Sequence, residues 1–383
     1  MDLGWGLFSC RCNLQTPLHI TSSHHAADGR LMCMENTTET QTRTTPLPNL
    51  SGKTVLVTGG TGFLGQALVR RLSAQTDARE IRVLVRSLQR AERIQDLPCV
   101  NIIKGDLTEP DTLPAAVQGT DILFHSGAAL GGNLALQMAV NEGGTRALAT
   151  AAADAGVERF VHVSTISLYG YGNRQDVTEE TPPKPGRDPY PISKLAAENA
   201  LKAVAAERHL PYTIIRPGMI YGPYSGMWTG QMFKVARRRP TIFIGDGSGS
   251  TYPIHVEDLI DLLLIAAVHP NALGETFNCT PDPSPTWREY LGGFARLAGH
   301  QTWLGVPPGL LWPFVQLIGR FAPASSPMTD LRELLPFSQG YITYKTDKAR
   351  RLLGWTPKIT LEQGITGTSD WLRERGLLTT QEK

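Results

Sequence analysis

The chain has little cysteine, no excess of either charge and no long apolar run. Five cysteines among 383 residues cannot build a dense disulfide framework, so a reducing compartment, the cytoplasm, is expected. Lys and Arg number 37 against 35 Asp and Glu, a net +2. That balance removes the electrostatic case for a nucleic-acid binder or for a protein held on an anionic membrane surface. No stretch approaches the roughly 18 consecutive apolar residues of a membrane span. A strongly apolar segment, WLGVPPGLLWPFVQLIGRFAP at 303–323, is broken by Pro307, Pro308 and Pro313. It reads as a cap over a substrate pocket, with a core helix as the alternative. The opening MDLGWGLFSC has Asp2 and no basic residue before its apolar part, the wrong pattern for a signal peptide. What is present is a composition of 41% hydrophobic and 19% charged residues, enough for a sizeable core and wrong for a disordered or fibrous chain.

The first fifty residues differ from the rest. They hold Cys10, Cys12 and Cys33, and the run NTTETQTRTTP at 36–46 cannot bury a core. Residues 1–50 therefore read as a disordered tail, with Met34 as an alternative start; a zinc site from Cys10, Cys12, His24 and Cys33 matches no familiar finger spacing. From Lys53 to about Arg373 the pattern is regular. Apolar runs at 53–59, 81–86, 100–106, 121–129, 159–165 and 212–217 alternate with amphipathic stretches such as GQALVRRLSAQ and NEGGTRALATAAADAG. Nearly continuous apolar strands alternating with helices predict an α/β, doubly wound parallel sheet covered on both faces. After Pro217 the rhythm breaks into Pro- and Gly-rich segments. The expected organisation is an α/β domain over 51–280, with insertions at about 218–252, and a smaller, mostly C-terminal substrate-binding region over 281–375.

The first strand runs into Thr58-Gly59-Gly60-Thr61-Gly62-Phe63-Leu64-Gly65. Glycines 59, 62 and 65 at a strand-to-helix turn allow a tight turn, close backbone approach to a pyrophosphate and close helix–strand packing. The helix N-terminus adds N–H donors for the phosphates. The second strand ends at Arg86 with no acid beside it; an acid there suits the ribose of NAD, an arginine the 2′-phosphate of NADP. NADP(H) is therefore favoured over NAD(H), with a solvated surface arginine as the alternative. Asp106 ends the third strand, placed to accept from an adenine amino group. Ser126, Gly127 and Ala128 end the fourth, small enough for a dinucleotide to lie close to the sheet. His125 reads as a packed, hydrogen-bonded histidine rather than a base.

Tyr190 and Lys194 in YPISK open a helical stretch, and a spacing of four puts both on one face. A free tyrosine titrates near ~10; a neighbouring ammonium draws it toward useful acid/base strength. Ser164 and Thr165 end the fifth strand, where a hydroxyl can donate to a substrate carbonyl.

These motifs resemble the extended short-chain dehydrogenase/reductases, the NAD-dependent epimerase/dehydratase family: TGGTGFLG (58–65), GDL (105–107), FHSGAA (124–129), NEGGT (141–145), VSTISLYG (163–170), YPISK (190–194), RPGMIYGP (216–223) and PIHVEDL (253–259). The ending DKARRLLGWTPKITLEQGI (347–365) is typical of the group too. The resemblance implies a Rossmann fold with Tyr190 as general acid/base. It implies that Lys194 binds the nicotinamide ribose and tunes Tyr190, and that Thr165, with Ser164 as its neighbour, polarises the carbonyl. It also puts Thr61, Phe63, Leu64, Leu107, Asn141, Pro217 and Gly218 beside the cofactor and allows a homodimer through two small-residue-rich helices.

Departures narrow the function. Ile166 and Ser167 stand where sugar-nucleotide dehydratases carry an acidic pair, and Met219 where many nucleotide-sugar enzymes carry Asn. Of the cysteines in the folded region, Cys99 and Cys279, neither matches the nucleophile of a 3,5-epimerase. The Arg216-Pro217 form is most similar to the 3β-hydroxysteroid dehydrogenase and dihydroflavonol reductase branch. Met227, Trp228, Phe233, Trp303, Leu310, Leu311, Trp312 and Phe314 crowd the expected pocket segments, with a small-domain core as the alternative. The only basic cluster there is Arg237-Arg238-Arg239. The reading is an NAD(P)-dependent oxidoreductase acting on a secondary alcohol or ketone of an apolar or ring-bearing small molecule, with no metal. Its alternative is a nucleotide-sugar epimerase holding NAD tightly. A silent binding module on the same fold has no need of the Tyr190/Lys194 pair.

Overall fold

Most of the apolar runs become strands here because both of their sides are covered. Seven of them form one sheet: β1 (Thr54–Thr58), β2 (Glu80–Val85), β3 (Val100–Lys104), β4 (Ile122–His125), β5 (Arg159–Val163), β7 (Tyr212–Pro217) and β11 (Thr276–Cys279). In this computed structural model, which describes residues 49–310 and 337–379, the sheet order is β11-β7-β5-β4-β1-β2-β3. Every pairing in it is parallel. This is a doubly wound Rossmann-type sheet whose order reverses between β1 and β4, where ligands bind at the C-terminal strand ends. The first six strands were legible as apolar runs; β11 is four residues, TFNC, too short to carry a pattern. Three separate parallel pairs join β6 (Arg174–Val177) to β13 (Ile342–Tyr344), β8 (Met219–Tyr221) to β10 (Pro253–His255), and β9 (Thr241–Ile244) to β12 (Trp303–Val306).

The helices are α1 (Phe63–Gln75), α2 (Leu113–Val117), α3 (Leu134–Gln137), α4 (Gly144–Asp154), α5 (Pro189–Arg208), α6 (Met232–Ala236), α7 (Val256–Val268), α8 (Trp287–Leu297) and α9 (Asp347–Leu353). Side chains alternate across a strand, so β1 sends Val55 and Val57 to one layer and Leu56 to the other. Val55 and Val57 pack with Leu68 and Leu72 of α1 and Leu259 and Leu263 of α7. Leu56 packs with Leu113 of α2, Leu148 of α4 and Leu201 of α5. Buried Arg71 ties α1 to α7 through Asp261 at 3.0 Å and through Glu257. Leu50, at the end of the expected tail, is buried in the first of these cores. The earlier tail, with Cys10, Cys12, His24, Cys33 and Met34, lies outside the described residues.

A third core gathers Met219, Tyr221, Phe233, Phe243, Tyr290 and Phe294 with Trp371 and Leu372. Phe233, expected in a pocket wall, is thus a core residue: α6 packs inward on α8 and buries it. Trp228 is partly buried against the same core, whereas Met227, Trp303 and Leu310 are exposed. Leu311, Trp312 and Phe314 lie outside the described residues. The chain then returns to the sheet, where Ala349, Leu353 and Trp355 join the first core.

Candidate active site

The glycine turn is built from close backbone contacts. Gly59 has φ +71°, and a Cβ on it would stand 2.7 Å from the Gly127 nitrogen. A Cβ on Gly65 would stand 2.2 Å from the Gly59 carbonyl oxygen, so only glycine lets α1 sit this close to the end of β1. Gly62 is the N-cap of α1 and brings no side chain to cap it, and the first turn holds no acidic residue. The orphan N–H groups and positive dipole end are left for an anion, which fits a dinucleotide pyrophosphate. The β1/β4 register sets Thr58 beside His125, so Ser126, Gly127 and Ala128 lie against the turn. Ser126 Oγ donates to the Thr58 carbonyl at 2.7 Å, and Leu107 comes within 3.2 Å of a Cβ built on Gly127. Asp106 accepts from the Thr108 N–H and hydroxyl at one carboxylate oxygen. Arg86 and Arg90 are exposed just past β2, with no ion pair among the described residues.

The second half of the site is the start of α5. Asp188 caps this helix by accepting from the Tyr190 N–H at 2.9 Å. Tyr190, Lys194 and Glu198 follow at intervals of four and share a face. Thr165, just beyond β5, lies beside the Tyr190 hydroxyl, on whose pKa it acts, and 3.0 Å from the Ser167 hydroxyl. Ser164 points the other way, buried toward the Glu198 carboxylate. Of the two hydroxyls, Thr165 is therefore the partner of the phenol.

Lys194 departs from expectation. Its Nζ donates to the Val163 carbonyl at 2.8 Å and lies 3.2 Å from His162 Nε2, so the ammonium is turned toward β5 rather than toward the phenol. Burial lowers its pKa to about 8, with Glu198 acting against the shift. The Tyr190 hydroxyl is pushed up to about 12 by burial, against which Thr165 pulls down. Burial therefore decides the direction for the phenol, which is upward.

Three residues to which the motifs gave no role in the site complete the setting. His162 contacts Lys194 from β5. Glu198, one turn beyond Lys194, takes a two-pronged bond from Arg216 at 2.9 and 2.7 Å. Although burial alone raises the Glu198 carboxyl, that guanidinium holds it below the usual range. Glu198 was within reach of the same i, i+4 rule that found the Tyr/Lys pair; His162 and Arg216 needed the fold. Asn141 sits in a π-helical turn, Met138–Gly143, a feature common at functional sites. Its side chain accepts from the Ala129 N–H at 2.7 Å and donates to the Ala129 carbonyl and to Ser193 Oγ, so it pins the β4 loop to α5. His125 is packed, as its setting predicted: Thr58 and Thr145 hydroxyls hold its two nitrogens at 2.7 and 2.9 Å, and burial lowers its pKa to about 3. Pro217 ends β7, and Gly218 packs so closely that a Cβ would stand 2.2 Å from the Tyr252 carbonyl oxygen. Among the described residues no three His, Cys, Asp or Glu side chains group as a metal site, and no helix is long and apolar enough to cross a membrane.

This geometry agrees with the comparisons to known proteins. A ceramide reductase of Caulobacter vibrioides is 32% identical over 340 residues, covering 85% of this chain and 96% of that one. A UDP-glucose 4-epimerase of Vibrio cholerae is 27% identical over 327 residues, covering 83% and 94%. The crystal structure of UDP-glucuronic acid 4-epimerase from Bacillus cereus in complex with NAD has the same fold, with a TM-score of 0.67 at 20% identity over 84% of this chain and 99% of that one. The model of the NAD dependent epimerase/dehydratase family matches residues 55–280, the stretch that holds the glycine turn, Thr165, Tyr190 and Lys194, and the chain belongs to that family.

Proposed function

We propose that the protein is an NAD(P)-dependent oxidoreductase that reduces a ketone, or oxidises the matching secondary alcohol, on an apolar or ring-bearing substrate. The observation that carries this reading is the pairing of the Tyr190 phenol with Thr165 at the end of β5, two strands from the glycine turn. The nicotinamide, when bound, supplies or accepts the hydride. Gly59, Gly62 and Gly65 with the N-terminus of α1 hold the pyrophosphate, and Lys194 is the residue for the nicotinamide ribose. A phenol that titrates near 12 is protonated at neutral pH, the form that gives a proton to an oxygen gaining charge. Thr165 orients that oxygen. Exposed Arg86 and Arg90, with no acid paired to either among the described residues, support NADP(H) over NAD(H).

An apolar substrate is supported by how the basic cluster is used. Arg237 donates to the Leu377 carbonyl and Arg239 to the Ala298 carbonyl, so two of the three arginines are committed away from a diphosphate, which needs fixed basic partners. The resemblance to a ceramide reductase points the same way; the resemblance to a UDP-glucose epimerase favours the second reading. A thermal-shift panel with NADP⁺ separates them, since binding raises the melting temperature by mass action. Shifts are expected with steroid, terpenoid or long-chain ketones. A clear shift with UDP- or dTDP-sugars and none with the apolar set promotes the epimerase. A homodimer is part of the proposal, because α4 and α5 are rich in small residues; light scattering checks it.

A further inference from the structure

The polar groups beneath the acid/base pair form a row across the sheet. Thr58 of β1 faces His125 of β4, and His125 faces His162 of β5, in register. The two imidazoles lie 5.1 Å apart, and both are buried. His125 has both nitrogens paired to threonine hydroxyls. His162 differs: its Nε2 lies 3.2 Å from Lys194 Nζ, while its Nδ1 is buried with no partner among the described residues. Opposite an ammonium, Nε2 must present its lone pair, so Nδ1 carries the proton and is an orphan donor. An orphan buried donor is costly to a fold and calls for an explanation. A leucine or phenylalanine at 162 has no such orphan to bury.

We propose that His162 is a positioning residue for Lys194: its neutral imidazole accepts one ammonium proton and, with the Val163 carbonyl, keeps this buried side chain charged and aimed at the end of β5. The inference rests on the reading of Lys194 as the ribose-binding member of the site. Other groups facing Lys194 do not account for a titration in its range. Tyr190 is raised to about 12 and His125 lowered to about 3. His162 lies well below its usual range through burial. Glu198 stays ionised on Arg216 from β7. Between pH 6 and 9 the group that changes charge is Lys194, whose pKa stands at about 8.

The sign follows. Removing an acceptor destabilises the ammonium, so Lys194 loses its proton at lower pH. A hydrogen bond to a charged group is worth one to two pH units, on the order of a charged bond divided by the free energy of one unit.

The test is NADPH binding, followed by nicotinamide fluorescence from about pH 6 to 9.5 in the full chain, for the wild type, His162→Leu, His162→Gln and Lys194→Met. The wild type is expected to bind more weakly above a midpoint near 8. His162→Leu should move that midpoint down by about one to two units without lowering the melting temperature, since it also removes the orphan donor. His162→Gln, which keeps an acceptor, should restore the wild-type midpoint, and Lys194→Met should abolish the step. An unmoved midpoint in His162→Leu, or one that moves equally in His162→Gln, overturns the role of His162 alone. A step that survives Lys194→Met shows that Lys194 is not the titrating residue, and both readings fall. His162→Met serves as the apolar arm where leucine does not fold.

Discussion

Alanine at Gly65 tests whether the glycine turn is a rigid backbone cradle. The added Cβ would stand 2.2 Å from the Gly59 carbonyl oxygen and 2.6 Å from Gly60 Cα, where ordinary contact begins at 3.4 Å. Both obstacles are backbone, so α1 has to withdraw by about 1 Å, an overpacking that costs ~1–3 kcal/mol. Alanine returns up to about 1 kcal/mol in helix propensity, leaving a net loss of roughly 0–3 kcal/mol in stability. The larger effect is on the cofactor. A shift of that size pulls the first N–H groups of α1 off the pyrophosphate. Losing one charge-assisted bond, ~1.5–3 kcal/mol, weakens binding by about tenfold to more than a hundredfold. Gly62→Ala is the control. Its Cβ meets only the Gly59 carbonyl oxygen, at 3.2 Å, and its backbone is extended, φ −83° and ψ 175°. It should keep the melting temperature and lose affinity only, by crowding the anion. Fluorescence titration with NADPH and NADH, paired with thermal denaturation, reads both effects. A Gly65→Ala protein that melts and binds like the wild type would refute the cradle.

Tyr190→Phe should abolish turnover with cofactor affinity nearly intact, because it removes only the proton carrier; substantial steady-state activity would sink the proposed mechanism. Arg86→Asp should weaken NADPH by roughly 1.5–3 kcal/mol, the scale of a charged bond, and spare NADH; equal affinity of the wild type for both cofactors would make Arg86 a bystander. Breaking the buried ion pair with Glu198→Gln leaves Arg216 uncompensated and should cost about 3–5 kcal/mol in denaturant melts; a loss under 1 kcal/mol would show that water or a neighbour replaces the carboxylate. His125 has a folded pKa of about 3, below its unfolded value, so its contribution is full above the unfolded pKa and fades as pH falls toward 3. His125→Asn should therefore flatten the acid limb of stability by up to about 1.4 kcal/mol per pH unit, measured by urea unfolding between pH 6.5 and 4; an unchanged slope would mean that the imidazole is charged in the fold.

By itself, the sequence determined the elements whose information is local. Six sheet strands were readable because strands covered on both faces are apolar along their whole length. The glycine turn was readable because its steric demands fall on three positions within seven residues. Tyr190 and Lys194 stood out because a helix repeats its face every four residues; the strand end offered Ser164 and Thr165 alike, and only the family resemblance put the role on Thr165. Tertiary structure decided the rest, because the deciding partners are far apart in the chain. The strand Thr276–Cys279 exists because β7 offers an edge, not because four residues demand it. Phe233 became core because α8 packs over it. Lys194 is turned toward β5, where the Val163 carbonyl and His162, 31 and 32 residues earlier, lie within 3.2 Å of its ammonium. The bonds of the Asn141 amide to Ala129 and Ser193, which pin the β4 loop to α5, needed the fold. Whether a buried polar group is spent on the fold or left for a ligand depends on which atoms the fold brings within 3 Å, and no short-range pattern records that.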